Sequence, residues 1–540
     1  MDHKLTKEEL NSLDHNALVL LILSMQDQIA LLTQSVDNLT EQIRLANSHR
    51  FGRKTEKLSQ IEGQLSFFDE AEEGYDPDAA EPDVEEVIPS KPRRKRSKGK
   101  LDADLKNIPS ETFRHPISDS EADAYYGKGC WRRLKPEVYK KLQYTPASWL
   151  AEIHEVDVIV GKSGDHQDEF IRGKRPKELL KHSLLTTTLA SAILNGKFGK
   201  SIPFARIESE FKNFDVNISK QTMCNWTMAL SERYFMPFYN LLRNKLLSMG
   251  VTQADETPVL VLQDGRPTPT KSWMWVHRSS ELYAGNQIVL YEYQKTRHHD
   301  FPKKFYKDYK GILVTDGLQQ YHMLEKLIPG FTSANCWVHG RRHFADALKA
   351  APKGSDPEEL KRSVAYQALK RISAIYEIEG TLKDLSAEER LNRRQADIKP
   401  LVEEFFAWIR SKQASMSVLP KSETKKGINY FLNQEKYLKV FLSDGNVPID
   451  NSASERSIRP FTIGRKNWLF NNTIRGAQAS AVIYSVVETA KANNLRPYQY
   501  LNHLLTELVE LTDENGNIDQ SGMEKLLPWA KEIPKDCRKN

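Results

Sequence analysis

The chain has 540 residues, too many for a single small module and enough for several domain cores. Its 78 basic and 72 acidic residues leave a formal charge of only +6, so any partner must be argued from where charge sits rather than from its total. A hydrophobic share of 39% without a long apolar run argues against membrane-spanning helices, and four widely spread cysteines (Cys130, Cys224, Cys336, Cys537) argue against a disulfide framework. With no signal-peptide core in MDHKLTKEEL, the expectation is a soluble cytoplasmic protein.

Leu18, Ile22, Met25, Ile29, Leu32, Val36, Leu39 and Ile43 recur at alternating spacings of four and three. That is a heptad seam, and it predicts a coiled coil within residues 1–60 that makes a homodimer or higher oligomer. Arg50, Arg53, Lys54 and Lys57 follow it, either to lie along phosphates or as a solvated helix end. Residues 61–104 join an acidic run (Asp69 to Glu86) to the basic block KPRRKRSKGK (Lys91 to Lys100). Neither half has apolar surface to offset the entropy of ordering, so a disordered linker is predicted. Its basic block could bind nucleic acid non-specifically or simply attract the acidic half. Residues 105–170 read as a small mixed domain, in which His115, His154 and His166 lack zinc-site spacing.

Residues 171–248 are helical. Arg172, Lys174, Arg175, Lys177 and Lys181 precede the apolar run LLTTTLASAILNG, a short helix follows over Pro203 to Phe211, and Ser219 caps KQTMCNWTMAL. Two helices around a polar turn suit a helix-turn-helix, with Lys220, Gln221, Thr222 and Asn225 on the face that would read base edges in the major groove. An ordinary helical hairpin fits the same pattern.

After Met249 the texture becomes β-rich. Val251 to Leu262, Ser272 to His277 and Gln287 to Tyr293 read as three successive strands. Next come a helical or irregular piece from Asp300 to Tyr309, a strand GILVTD ending at Asp316, a strand near Phe331 to Val338, and a helix from about Gly340. This order is expected of an α/β ribonuclease-H-like core (residues 249–350 and 446–500), interrupted by an all-helical insertion over 351–445 and followed by C-terminal helices over 501–540. In that fold Asp255, on the first strand, lies beside Asp316, at the end of the fourth. Glu256 is not interchangeable with Asp255, because neighbouring strand residues face opposite sides.

The stretch NVPIDNSASERSIRPFTIGRKNWLF, Asn446 to Phe470, supplies a third acid, Glu455, followed by Arg456, Arg459, Arg465 and Lys466. So many cations need water or an anion beside them. Two readings stand: a site where metal and polyphosphate meet, or a capping box in which Glu455 returns a hydrogen bond to the backbone at Ser452. Three acids suit two hard cations such as Mg²⁺, with Mn²⁺ able to substitute, one ion activating the attacking oxygen and the other stabilising the leaving oxygen. In CWVHGRRHF (Cys336 to Phe344), Arg341 and Arg342 suit a phosphate clamp, His339 suits proton transfer or stacking, and the motif lacks a fourth ligand for zinc. Trp468 suits stacking on an unpaired base or, equally, a place in the core.

FGRKTEKL (Phe51 to Leu58), ADETPV, VTDG, CWVHGRRHF and DNSASERSIRPFTIGRKNWLF together resemble the insertion sequence 66 family of bacterial transposases, of the Asp-Asp-Glu type. The resemblance implies Asp255, Asp316 and Glu455 as a catalytic, metal-binding triad. It also implies double-stranded DNA as partner at element ends and target, and possible helper proteins of the same element. The cysteine-rich zinc-binding segment of such proteins is missing here, so zinc is not expected. The function implied is cleavage of a phosphodiester followed by strand transfer. Two alternatives are a catalytically inactive DNA-binding derivative and a ribonuclease-H-like nuclease that does not join.

Overall fold

The computed structural model describes residues 183–539 except 267–270, 352–356 and 414–417. Before these it describes 149–155, 158–160, 170–172, 176–181 and a few positions within 18–28 and 120–128. Nearly all of the predicted coiled coil, its basic tail, the linker and much of the mixed domain therefore lie outside the described residues. The chain divides into two compact units, residues 70–175 and the remainder. In the smaller, β1 (Val158–Val160) and β2 (Phe170–Arg172) form an antiparallel pair with Ile159 opposite Ile171.

The larger unit begins with helices. In α1 (Thr187–Leu194) the Thr186 hydroxyl accepts the Leu189 N–H, and a π-helical turn over Asn195–Gly199 follows. α2 (Phe204–Lys212) buries Phe204, Ile207 and Phe211, a three-and-four spacing that lines one helical face. α3 (Lys220–Leu230) starts at Ser219, whose hydroxyl accepts the Thr222 N–H, as the sequence predicts. α4 (Met236–Leu247) then leads into the sheet.

Six strands follow: β3 (Val251–Gln263), β4 (Lys271–Ser279), β5 (Val289–Gln294), β6 (Ile312–Thr315), β7 (Thr332–Asn335) and β8 (Asn471–Thr473). The path is β5-β4-β3-β6-β7. β3, β4 and β5 form an antiparallel meander, β6 and β7 run parallel to β3, and β8 pairs in parallel with the far end of β3 through Val261 and Asn471. β3 is central and covered on both faces, so VTQADETPVLVL is buried along most of its length, polar residues included. Between strands lie α5 (Asp300–Phe305) and α6 (Gln319–Leu327).

Two cores lie on this sheet. One joins Met274, Val276, Leu290 and Leu313 to the N-terminal helices, to α14 (Ile474–Ala492) and to α15 (Pro497–Glu510); a short α16 (Gln520–Glu524) follows. α14 is fastened to β5 by side-chain caps: the Tyr291 N–H donates to Ser485 at 2.7 Å and the Val289 N–H to Thr489 at 3.0 Å. The other core joins Val251, Val314 and Ala334 to α7 (Trp337–Lys349) and to the helical insertion.

That insertion comprises α8 (Pro357–Arg362), α9 (Val364–Thr381), α10 (Ala387–Arg393), α11 (Lys399–Gln413) and α12 (Glu423–Leu438). Its aromatic centre, Phe405, Phe406 and Phe431, surrounds Trp337, whose indole N–H donates to the Leu438 carbonyl at 2.8 Å. α7 begins three residues before the expected Gly340, with Cys336 as its N-cap. α13 (Ser452–Trp468) returns the chain to the sheet. Among the described residues no helix is long and apolar enough to cross a membrane.

Candidate active site

The parallel register of β3 and β6 pairs Thr252 with Leu313 and Gln253 with Val314. Continued two residues past its last pair, the same register would bring Asp255 opposite Asp316, just past the end of β6, and the charge of Asp316 acts on Asp255. The chain turns sharply there: the Leu318 N–H donates to Asp316 Oδ1 at 3.0 Å. Gly317 has φ +90°, and a Cβ at that position would stand 2.7 Å from Asn335 Nδ2, so glycine is required. The Tyr430 hydroxyl braces the turn, 3.3 Å from the Asp316 carbonyl and 3.0 Å from that of Cys336.

Glu455 is the fourth residue of α13, and it does not close a capping box. The N-cap is Asn451, Ser452 already belongs to the helix, and the Ser452 N–H donates to Asp450 Oδ1 at 2.9 Å. Of the two readings of S-x-x-E, the cap is thus set aside, and Glu455 lies in the first turn, where the helix dipole favours an anion. Asn451 fixes that turn to the sheet: its Nδ2 donates to the Ala254 carbonyl at 2.8 Å, and its N–H reaches Cys336 Sγ at 3.2 Å. Arg278, buried on β4, donates to the Ala453 carbonyl at 3.1 Å and to Ser457 Oγ at 3.0 Å. Desolvation lowers that guanidinium to about 10. Sequence reasoning missed Asn451 and Arg278, whose partners lie more than a hundred residues away.

Three acids from three separate elements thus share one electrostatic neighbourhood. Burial, followed by the charges of Glu256, Asp316 and Glu455, holds the Asp255 carboxyl well above the usual range, although the Glu256 N–H donates to it at 2.8 Å. Glu256 pairs with Arg297 and accepts from the Tyr321 hydroxyl. Burial and Asp316 raise its carboxyl too. The three acids are more widely spaced than a single-ion cage: among the described residues only His298, His299 and Asp300 bring three ligand atoms within 4.8 Å of one another. Two ions roughly 3.5–4 Å apart would spread their ligands over a wider span.

His339, the third residue of α7, comes within this neighbourhood, with Nε2 3.9 Å from Glu455 Oε1. Burial lowers its imidazole below the ordinary range, against the pull of Asp316. Cys336 is buried and His343 Nδ1 meets Glu423 at 2.8 Å, so C-x-x-H-x-x-x-H does not converge on one ion.

The basic residues divide into two groups. Arg465 faces inward, donating to Thr257 Oγ1 at 3.1 Å and to the Pro258 carbonyl, which makes it a clamp between α13 and β3. Arg456 pairs with Glu281 at the surface, Arg459 is half-buried, and Lys466 is exposed. Arg341 and Arg342 are half-buried on α7. On α3, Lys220, Gln221 and Asn225 are exposed and Thr222 is half-buried, with Gln221 Nε2 3.3 Å from Asn225 Oδ1. Trp468 takes the core option, beneath Lys197 Nζ at 4.2 Å from its ring and beside Tyr484.

A mixed sheet that gathers acids from a central strand, a neighbouring strand end and a helix reached across a long helical insertion defines an α/β protein of divided core. The family follows from comparison with known sequences. Residues 182–479 match the model described as Transposase IS66 family, residues 485–529 match IS66 C-terminal element, and residues 38–108 match Transposase C of IS166 homeodomain. The chain belongs to the IS66 transposase family. Similar proteins include three from Sinorhizobium fredii (strain NBRC 101917 / NGR234). Uncharacterized protein y4hP is 29% identical over 350 residues, covering 63% of this chain and 61% of the relative. Uncharacterized protein y4qI is 28% identical, covering 67% and 66%, and uncharacterized protein y4jD is 26% identical, covering 66% and 68%. The chain thus matches between 61% and 68% of the length of these relatives.

Proposed function

We propose that this transposase binds the ends of a mobile element and catalyses metal-dependent phosphodiester cleavage and strand transfer, with Asp255, Asp316 and Glu455 as its catalytic, metal-binding acids. The carrying observation is that Asp255 is repelled by both of the other acids, although 61 and 200 residues of chain separate it from them. The strand order supports reading the core as ribonuclease-H-like: an antiparallel meander with two parallel strands added beside its first strand. Nothing but hard oxygen is offered by the three side chains, which suits Mg²⁺ or Mn²⁺. A bound pair of such ions would supply a water activated near neutral pH and a counter-charge for the leaving oxygen.

The chain's own residues handle the rest. Mutual repulsion among the acids favours bound cations, and Asn451, Arg278 and Arg465 hold α13 in register with β3. On a helix of 1.5 Å rise, Arg459 and Lys466 fall on the Glu455 stripe, about 6 and about 16 Å along it. A DNA strand whose scissile phosphate lies at Glu455 would meet both cations. Arg341 and Arg342 flank the site on α7, and α3 presents Lys220, Gln221, Thr222 and Asn225 to base edges. Self-association through the N-terminal heptads would supply two DNA-binding units.

The test is incubation of the full chain with DNA carrying the element's ends and Mg²⁺, scoring cleavage and joining separately. Asp255→Asn, Asp316→Asn and Glu455→Gln should each abolish both reactions and leave end binding intact. Cleavage retained by any of these variants removes that residue from the triad. Cleavage without joining would identify a nuclease, and binding without cleavage an inactive derivative.

A further inference from the structure

We propose that His339 is a fourth protein ligand of the acid site, giving it a nitrogen donor and a preference for Mn²⁺ over Mg²⁺. This rests on the reading of Asp255, Asp316 and Glu455 as ion ligands and adds a residue of different chemistry to them.

The placement is built rather than incidental. His339 is the third residue of α7 and Glu455 the fourth of α13. The two helix starts are fastened together twice: the Trp337 N–H donates to the Ile449 carbonyl at 3.2 Å, and the Asn451 N–H to Cys336 Sγ at 3.2 Å. Cys336, directly before α7, shares the Tyr430 hydroxyl with Asp316. The same braces that position two of the acids therefore also position this ring.

Its hydrogen bonding is the second observation. His339 Nδ1 is buried without a hydrogen-bond partner, and Nε2 has only Glu455 Oε1, at 3.9 Å, beyond hydrogen-bond range. His277 meets the Tyr306 hydroxyl at 3.0 Å, His322 meets Asn335 at 3.0 Å, and His343 meets Glu423 at 2.8 Å, while His503 Nε2 is also buried without a partner; what sets His339 apart is that its ring lies beside an acid of the site. His322 lies flat on Tyr437 and His277 on Phe305, whereas the half-buried His339 ring has neither a stacked partner nor a side-chain hydrogen bond.

The 3.9 Å separation is a few tenths of an ångström short of what one ion asks of opposite ligands. Around an octahedral cation with ligands at about 2.1 Å, two donor atoms stand roughly 3.0 Å apart when adjacent and roughly 4.2 Å when opposite. Imidazole is a softer donor than carboxylate, so its inclusion shifts selectivity from Mg²⁺ toward transition ions.

The measurement uses the full chain with MnCl₂ or MgCl₂ alone and no DNA. Electron spin echo spectra of bound Mn²⁺ should carry a nitrogen modulation in the wild type that disappears in His339→Gln, and the Mn²⁺ to Mg²⁺ affinity ratio should fall roughly tenfold or more. In the double variant His298→Ala, His299→Ala the modulation should persist, which assigns it to His339 rather than to the surface histidine pair. Absence of nitrogen modulation in the wild type, its survival in His339→Gln, or its loss in the double variant overturns the proposal. Thermal unfolding of His339→Gln and of a second variant, His339→Asn, shows that each remains folded. If Glu455→Gln and Asp255→Asn bind Mn²⁺ as tightly as the wild type, the acid site itself fails. If these two lose the ion while His339→Gln keeps both affinity and modulation, only the fourth ligand falls.

Discussion

The acid site and the exposed face of α3 treat polar side chains in opposite ways. Around the acids, Asn451, Arg278, Gln253, Tyr430 and Arg465 are engaged with backbone carbonyls of distant elements, so that each carboxylate has one place to be. On α3, Lys220, Gln221 and Asn225 project outward, with an internal bond between the latter two at 3.3 Å. Phosphoryl chemistry needs groups fixed before the substrate arrives, whereas base reading needs groups that the substrate can recruit.

Breaking the first region should therefore remove chemistry and spare binding. Asp316→Asn or Glu455→Gln is expected to lower cleavage of end DNA by more than roughly a thousandfold, with an unchanged gel-shift midpoint. Asn451→Ala should be the next largest: it leaves α13 without its tether to Ala254, and cleavage should fall by roughly a hundredfold. Its thermal midpoint should also drop, because loss of a buried hydrogen bond costs about 1–3 kcal/mol.

Changes in the second region should do the reverse. Gln221→Ala or Asn225→Ala should weaken end binding by about 1–3 kcal/mol for each lost base contact, measured by competition against scrambled DNA. The single-turnover cleavage rate at saturating DNA should stay at the wild-type value.

The last effect concerns pH. Asp255 is held above the ordinary range, so between the ordinary value and the raised one the folded chain keeps a proton that the unfolded chain has released. Stability of the ion-free protein should accordingly fall as pH rises through that window, and Asp255→Asn should flatten the slope in thermal scans. Mg²⁺ should restore stability at the upper end, by about 2.7 kcal/mol at a hundred times its dissociation constant.

Much of this comparison was legible in the sequence, for reasons that particular residues make plain. Ser219 before KQTMCNWTMAL is a local cap signal, and Asp255 and Asp316 stand in β patterns that specify strands without any distant partner. Glu455 was visible as an acid among cations, but S-x-x-E pointed equally to a capping box. The ambiguity arises because Asn451, one residue earlier, takes the cap position and Asp450 serves the Ser452 N–H. α7 begins before its expected start because Cys336, its N-cap, is not among the residues that advertise that role. Arg465 looks in the sequence like its neighbouring cations, since nothing local distinguishes a side chain that reaches back to Pro258. The tethers were hidden because each joins positions such as Asn451 and Ala254, 197 apart in the chain.

The attachments of α13 to β3 divide the three acids into a rigid pair and a separate third. Asn451 at its start, Arg465 near its end and the β8 pairing just beyond it all grip the strand that carries Asp255. Glu455 and Asp255 must then travel together, while Asp316 rides on a glycine turn at the tip of another strand, braced by a tyrosine from the helical insertion. The insertion, through Tyr430, thus reaches the one acid that the attachments of α13 do not hold.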